Sequence, residues 1–352
     1  MNRRRPLRYR DASRVAVLSC VLCLIGRGAR ADADYELGHG IDVGPINFAG
    51  YSDLVANVPS RGTGSLVLND LSLFVSGHIG QLFNPFTEVE LADLGLIHAR
   101  AAPGDDHGTG DLVLERLYND SYLSDSITLR LGKMLAPVGE WNVIHAAPLV
   151  LTTVRPAVTY RNFSEYATGI SVLYSDPSAR FPDFQVYWQP SGEFSERPSH
   201  LTVHQYRGVA GVHVSFPLGL LDKLGFSFQH SKDVLGVDQS LLGTDYHYSV
   251  GQLTLQGEGT YSDISDNGVI HNHDTEWAAY AAASYTVAEQ WSVYAWYEGF
   301  LDRTAPSTAQ DVLLGIAYKY EPALVAKLEY LQNIGGQPVN RTGLYASFSV
   351  LF

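Results

Sequence analysis

The chain has 352 residues, with 37 Asp and Glu against 24 Lys and Arg, 33 glycines and two cysteines. That acidic balance excludes nucleic acid as an expected partner, because a polyanion is repelled by most of such a surface. Both cysteines, Cys20 and Cys23, lie near the amino terminus, so a metal-thiolate centre, a cysteine nucleophile and a disulfide framework are excluded for everything after them.

Residues 1–31 read as a secretory signal peptide. Eight arginines and one acid precede Ala31, and residues 15–25 (VAVLSCVLCLI) form a short apolar core. A transmembrane helix needs about 20 apolar residues, more than this run supplies. Ala29-Arg30-Ala31 ends it with the small-x-small pattern of a cleavage site, so the expected cut follows Ala31. Lipid attachment at Cys20 is the weaker alternative, since few apolar residues precede that cysteine. The cut leaves one domain, 32–352, with 16 basic and 36 acidic residues and a net charge of −20.

From there on, segment after segment alternates apolar and polar residues with period two, the mark of a strand whose two faces meet different surroundings. Strand centres fall near Phe48, Leu73, Val89, Leu114, Leu129, Val172, Val186, Val212, Phe226, Tyr246, Leu255, Ala281, Val293, Leu314, Leu328 and Phe348. In the segment around Leu255, Leu253, Leu255, Gly257 and Tyr261 oppose Thr254, Gln256, Glu258 and Thr260. Around Leu314, Val312, Leu314, Ile316 and Tyr318 oppose Asp311, Gly315, Ala317 and Lys319. Charges on the second face suit a wet lumen, whereas the core of a soluble sandwich penalises them. The expected fold is all-β: a transmembrane antiparallel β-barrel of about 16 strands, a number that leaves room for water inside.

The connections alternate in length, as they do in barrels with short turns at one end and long loops at the other. Links near 250–252, 287–290 and 321–323 are short, while those near 95–110, 136–166, 190–206 and 263–276 are long. The loop after the fifth strand mixes apolar, aromatic and charged residues and is too apolar to stand in water. It resembles the third external loop of sixteen-strand porins, a resemblance that implies folding into the lumen. Glu140, His145, Arg155 and Arg161 are then its candidate constriction charges, with a lid packed at the mouth as the alternative. Glu88, Glu90, Arg130, Asp245, His247, Glu258, Lys327 and Glu329 are the candidate lumen-facing residues in this register.

Catalytic motifs are missing: there is no Gly-x-Ser-x-Gly elbow and no His-Glu-x-x-His zinc pair, so no enzyme, cofactor or metal is expected. Two loop clusters, Asp105-Asp106-His107 and His271-Asn272-His273-Asp274, read as solvated loop polarity rather than metal sites. At the carboxy terminus Leu344, Ala346, Phe348, Val350 and Phe352 share one face, opposite Tyr345, Ser347 and Ser349. A strand ending on phenylalanine in this way resembles the assembly signal of Gram-negative outer-membrane barrels, with Phe348 and Phe352 as its aromatic positions.

Two further stretches carry a wider resemblance. Leu129-Arg-Leu-Gly-Lys-Met134 followed by Pro137-x-Gly139, and Gly243-Thr-Asp245-Tyr-His-Tyr248 followed by Leu253-Thr-Leu-Gln-Gly-Glu258, resemble the broad phosphate-selective porin-like group. The resemblance implies an outer-membrane diffusion channel for small hydrophilic solutes or ions. Its expected surroundings are outer-membrane lipid and lipopolysaccharide, the barrel-assembly machinery and, as one option for assembly, a homotrimer. That group's anion selectivity comes from a basic ladder, from which this chain departs: only Arg130, Arg155, Arg161 and Lys327 look well placed. With Glu88, Glu90, Asp245, Glu258 and Glu329 also pointing inward, the sequence favours a weak cation preference. A phosphate-selective pore and a closed structural or adhesive barrel remain the alternatives.

Overall fold

A computed structural model describes residues 35–98, 108, 110–198, 204–219, 221–265, 272–336 and 339–352. The expected leader, the cluster at 105–107 and His271 lie outside the described residues.

A short strand β1 (Ile41–Val43) hairpins onto the first of sixteen long strands: β2 (Ile46–Pro59), β3 (Ser65–Gly77), β4 (Asn84–His98), β5 (Asp111–Tyr122), β6 (Ile127–Leu135), β7 (Tyr166–Tyr174), β8 (Asp183–Gln189) and β9 (Tyr206–Pro217). The second half continues with β10 (Lys223–Asp233), β11 (Asp238–Val250), β12 (Leu253–Ile264), β13 (Thr275–Ala288), β14 (Trp291–Leu301), β15 (Ala309–Glu321), β16 (Leu324–Gly335) and β17 (Gly343–Leu351). Each long strand pairs antiparallel with its sequence neighbours, and β17 pairs with β2 from Gly343 opposite Pro59 to Leu351 opposite Tyr51. Closure leaves no open edge, so every long strand has a partner on both sides. The seam is finished by reciprocal backbone bonds, Gly50 N–H to Phe352 O at 2.7 Å and Phe352 N–H to Gly50 O at 2.8 Å. All sixteen expected strand centres fall within long strands. Among the described residues no helix is long and apolar enough to cross a membrane.

The period-two pattern sorts side chains as expected. On β15 to β17, Leu314, Leu328 and Phe348 are about half exposed on the outside at 59%, 50% and 51%, while inward Leu313, Lys327 and Ser347 are at most 7% exposed. Apolar side chains such as Val172, Val186, Phe226, Leu242 and Leu255 continue the outward belt, the arrangement that lipid rewards. Aromatic residues gather beside the short turns, among them Tyr248, Tyr285, Trp291 and Tyr320, where amphipathic rings favour a membrane interface. Trp291 and Tyr318 pack there with ring centroids 4.7 Å apart.

The lumen is not uniformly polar. The connection between β6 and β7, residues 136–165, enters the barrel and packs Trp141, Val154, Ala157 and Val158 against inward Tyr280, Tyr294, Trp296, Phe300, Leu313 and Leu331. Small inward residues on β13, Ala278 and Ala282, make room for it. The apolar character of this half of the inner wall is thus the counterpart of an apolar loop, and burying both removes the cost that the loop would face in water.

Candidate functional site: the loop-narrowed lumen

A loop inside a barrel must find partners for its backbone amides and carbonyls, since each left buried and unpaired costs about 1–3 kcal/mol. Charged side chains on the inner wall meet that need. Glu258 on β12 accepts the amides of Glu140 and Trp141 at 3.0 and 2.7 Å. Glu298 on β14 accepts that of Val158 at 3.0 Å. Glu329 on β16 accepts those of Thr153 and Val154 at 2.6 and 3.1 Å, and the Tyr294 hydroxyl at 2.8 Å. Lys327 works in the opposite sense, donating to the carbonyls of Ala147, Val150 and Thr152 at 2.9, 2.7 and 3.5 Å.

The loop also braces itself. The side-chain amide of Asn142 donates to the carbonyls of Ala136 and Glu165, both at 2.9 Å, which ties together the two ends of the loop. Arg155 bonds to Glu165 at 3.1 Å, to the Thr159 carbonyl at 2.6 Å and to Asn142 Oδ1 at 3.2 Å. A 3-10 turn, Ala157–Thr159, lies wholly buried against the wall.

Between this loop and the β2–β4 wall remains a passage of about 430 Å³. Asp53, Asp70 and Glu90 line it from the wall, and His145, Thr153 and Arg155 from the loop. Asp93 of β4, Lys327 and Arg197 complete its charged lining. Asp53 and Asp70 stand opposite each other in the β2–β3 ladder. The Ser349 hydroxyl donates to Asp53 at 2.7 Å and the Asn69 amide to Asp70 at 2.7 Å, and Asp70 also meets the Glu90 carboxyl. Arg197 reaches in from the loop after β8 and pairs with Glu115 at 2.6 Å and Glu90 at 3.6 Å. In the same loop Glu193 meets Lys133 of β6 at 2.6 Å, so a second long loop is bound inside the barrel. Burial and the nearby arginines hold the His145 imidazole down to about 4, so it is neutral near pH 7.

The expected site residues therefore divide. His145 and Arg155 reach the passage, as do Glu90 and Lys327. Glu140 and Arg161 are not among the residues that line it. Glu140 lies on the far side of the loop, paired with Lys223 at 2.9 Å and with His247 at 3.6 Å, and these hydrogen-bonding partners keep its carboxyl below the usual range despite burial. Arg161 packs over the Phe300 and Tyr160 rings at 5.7 and 5.9 Å. Glu258 and Glu329 do point inward, but they hold the loop's backbone rather than open water, a correction to counting them as free lumen charge. Asp245 is buried opposite Glu258 in the β11–β12 ladder. Arg130 sits near the short-turn end in a two-bond pair with Asp120 at 2.7 and 2.8 Å, over the Tyr118 ring. Glu88 is paired with Arg116.

The sequence reading missed Asp53, Asp70, Glu298 and Arg197. The first three occupy inward positions that strand periodicity alone would reveal. Arg197 lies in a loop whose composition looks solvated, so no local signal marks it.

No family model matches the chain, and no curated protein matches its sequence. Solved structures do. It is similar to OmpF of Salmonella typhi, solved with daunomycin, at 11% identity and a TM-score of 0.62, covering 91% of this chain and 99% of that one. An anion-selective porin of Comamonas acidovorans is 14% identical, with a TM-score of 0.60 and coverage of 87% and 98%. The trimer form of OmpT, an outer membrane protein of Vibrio cholerae, is 13% identical, with a TM-score of 0.58 and coverage of 88% and 100%. At these identities the likeness is one of architecture: the chain has the sixteen-stranded barrel fold that Gram-negative outer-membrane porins share.

Proposed function

We propose that the chain is exported by its leader, cut after Ala31, and serves in the Gram-negative outer membrane as a non-enzymatic diffusion channel for small hydrophilic solutes or ions. The observation that carries this reading is the charged passage left between the inward loop and the β2–β4 wall, inside a barrel whose outer face is apolar. Its expected partners are outer-membrane lipid and lipopolysaccharide, the barrel-assembly machinery and the solutes themselves. The trimer form of the Vibrio cholerae protein supports a homotrimer.

Selectivity follows from local bookkeeping. Arg197 is neutralised by Glu115 and Glu90, and Arg155 by Glu165. Asp53, Asp70 and Asp93 then outnumber Lys327, which favours cations weakly. An anion- or phosphate-selective pore, in line with the motif resemblance, has Arg155, Arg197 and Lys327 in its favour.

Single-channel recording of the purified full-length barrel in planar bilayers tests the proposal. Stepwise currents with a reversal potential on the cation side of zero in a KCl gradient are expected. A folded, heat-modifiable barrel without conductance would overturn it and leave a closed structural or adhesive barrel.

A further inference from the structure

We propose that Glu88, Glu90 and His145 form a binding site for a divalent cation of the zinc class, joining the inward loop to the barrel wall. Glu88 and Glu90 are two positions apart on β4 and so share its inner face. His145 comes from the loop. One ligand atom from each of the three lies within 4.8 Å of the others.

A second, independent observation points to a missing cation. The Glu88 side chain is fully buried, Arg116 holds its Oε2, and its Oε1 has no hydrogen-bond partner. Buried carboxylate oxygens are normally satisfied, and an orphan one calls for a counter-charge. The local balance agrees: among the described residues Glu88, Glu90 and Glu115 have two cationic partners, Arg116 and Arg197, and beyond these only the neutral hydroxyls of Tyr166 on Glu115 and Ser72 on Glu90. One negative charge is left over where desolvation makes it costly.

The imidazole is oriented for the task. Its Nδ1 faces the Asn142 carbonyl at 3.2 Å, a partner that only a donor satisfies, so the lone pair resides on Nε2. A histidine whose other nitrogen donates to a backbone carbonyl is the usual arrangement of a metal ligand. Two carboxylate oxygens and one imidazole nitrogen suit zinc, whereas calcium and magnesium take oxygen shells of six or more. Glu90 and His145 both border the passage, which leaves the fourth position open to water. A bound ion would draw the ligand atoms to about 3.4 Å, the spacing of a tetrahedral shell with bonds of about 2.1 Å. His145 would then hold the loop to β4, on the side opposite its attachments to Glu258, Glu298 and Glu329.

The test is calorimetric titration of the untagged, metal-stripped, full-length barrel with zinc chloride, which needs no current and so stands apart from the channel reading. Saturable binding of one ion per chain is expected, uncompeted by excess magnesium. His145→Ala, in a loop, and Glu90→Gln, equal in size, should each weaken it at least tenfold while heat-modifiability shows the barrel folded. Absence of saturable binding, or binding unchanged in both variants, would overturn the site.

Discussion

The carboxylate of Glu258 occupies the space that a side chain at Gly139 would need. A Cβ built on Gly139 would lie 2.1 Å from Glu258 Oε2, and Gly139 adopts a φ of +70°. The same carboxylate receives the next two amides, so one glycine lets the loop turn and an acid on β12 catches it. Gly139→Ala should cost about 1–2 kcal/mol for the left-handed backbone alone, and more for the displaced acceptor, since hydrogen bonds to charged groups are worth about 1.5–3 kcal/mol each. The expected result is a loop freed from the wall, seen as larger and noisier single-channel conductance with a normal yield of barrel. Glu258→Gln, which keeps an acceptor oxygen, should do less. Wild-type conductance in Gly139→Ala would count against this attachment.

Why the barrel was legible in the sequence and the site was not follows from the range of each signal. Strand alternation is local: Leu314 and Leu328 face outward whatever the rest of the chain does, so period two marks every long strand. The loop's position depends on partners more than a hundred residues away. Glu258 and Glu329 were readable as inward, but whether they meet water or backbone amides depends on where residues 140–158 cross the lumen. Asp53 and Asp70 become a pair only once β2 and β3 align with a bulge between Asp53 and Leu54. Arg197 carries no periodicity at all.

Acid should loosen the far side of the loop. Glu140 has its carboxyl lowered by the hydrogen bonds from His247 and Lys223, which outweigh its burial. A group whose folded value is depressed stabilises above its ordinary value and loses that contribution as pH falls through the folded one. The pairing with Lys223 is therefore complete above pH 4.5 and fades below it. Glu140→Gln should lower thermal stability at pH 7, with the gap to wild type closing as pH falls below 4.5 and through the depressed value of the folded protein. Thermal unfolding of both proteins across pH 3–7 checks this, and a gap constant down to pH 3 would contradict it.

Phe352 is tied to the closing seam through its backbone, and its ring lies beside Gly50, where a Cβ would come within 2.8 Å of it. Deleting Phe352 removes the two reciprocal bonds to Gly50 and one aromatic side chain, a loss of a few kcal/mol at most. If the terminal aromatic serves assembly as the sequence resemblance implies, the outer-membrane level of heat-modifiable barrel should fall much further than that loss explains. Refolding of the purified variant in detergent separates the two effects: near-normal refolding with poor assembly in cells is the expected pattern. Equal levels of wild type and deletion in the membrane would refute the assembly role.

Ion preference should rest on Asp53 and Asp70 more than on the overall charge. Fixed charges act over about 8 Å at physiological ionic strength, so acids outside the passage contribute little. Within it, Arg155 has Glu165 at 3.1 Å, and Arg197 has both Glu115 and Glu90. Lys327 directs its ammonium into the loop carbonyls. Among the described residues neither aspartate is in a salt bridge: Asp53 takes the Ser349 hydroxyl, and Asp70 meets the Asn69 amide and the Glu90 carboxyl, so their field reaches a passing ion with less cancellation. Replacing both, Asp53→Asn with Asp70→Asn, leaves Arg155, Arg197 and Lys327 opposed within the space by Glu90 and Asp93 alone among the described residues. The reversal potential in a KCl gradient should then move from weakly cation-selective to the chloride side, with little change in conductance because asparagine matches aspartate in size. Arg155→Ala should move it the other way. If the wild-type channel already prefers chloride, or if the double variant leaves the reversal potential where it was, the aspartate pair does not set selectivity and the arginines of the two inward loops do.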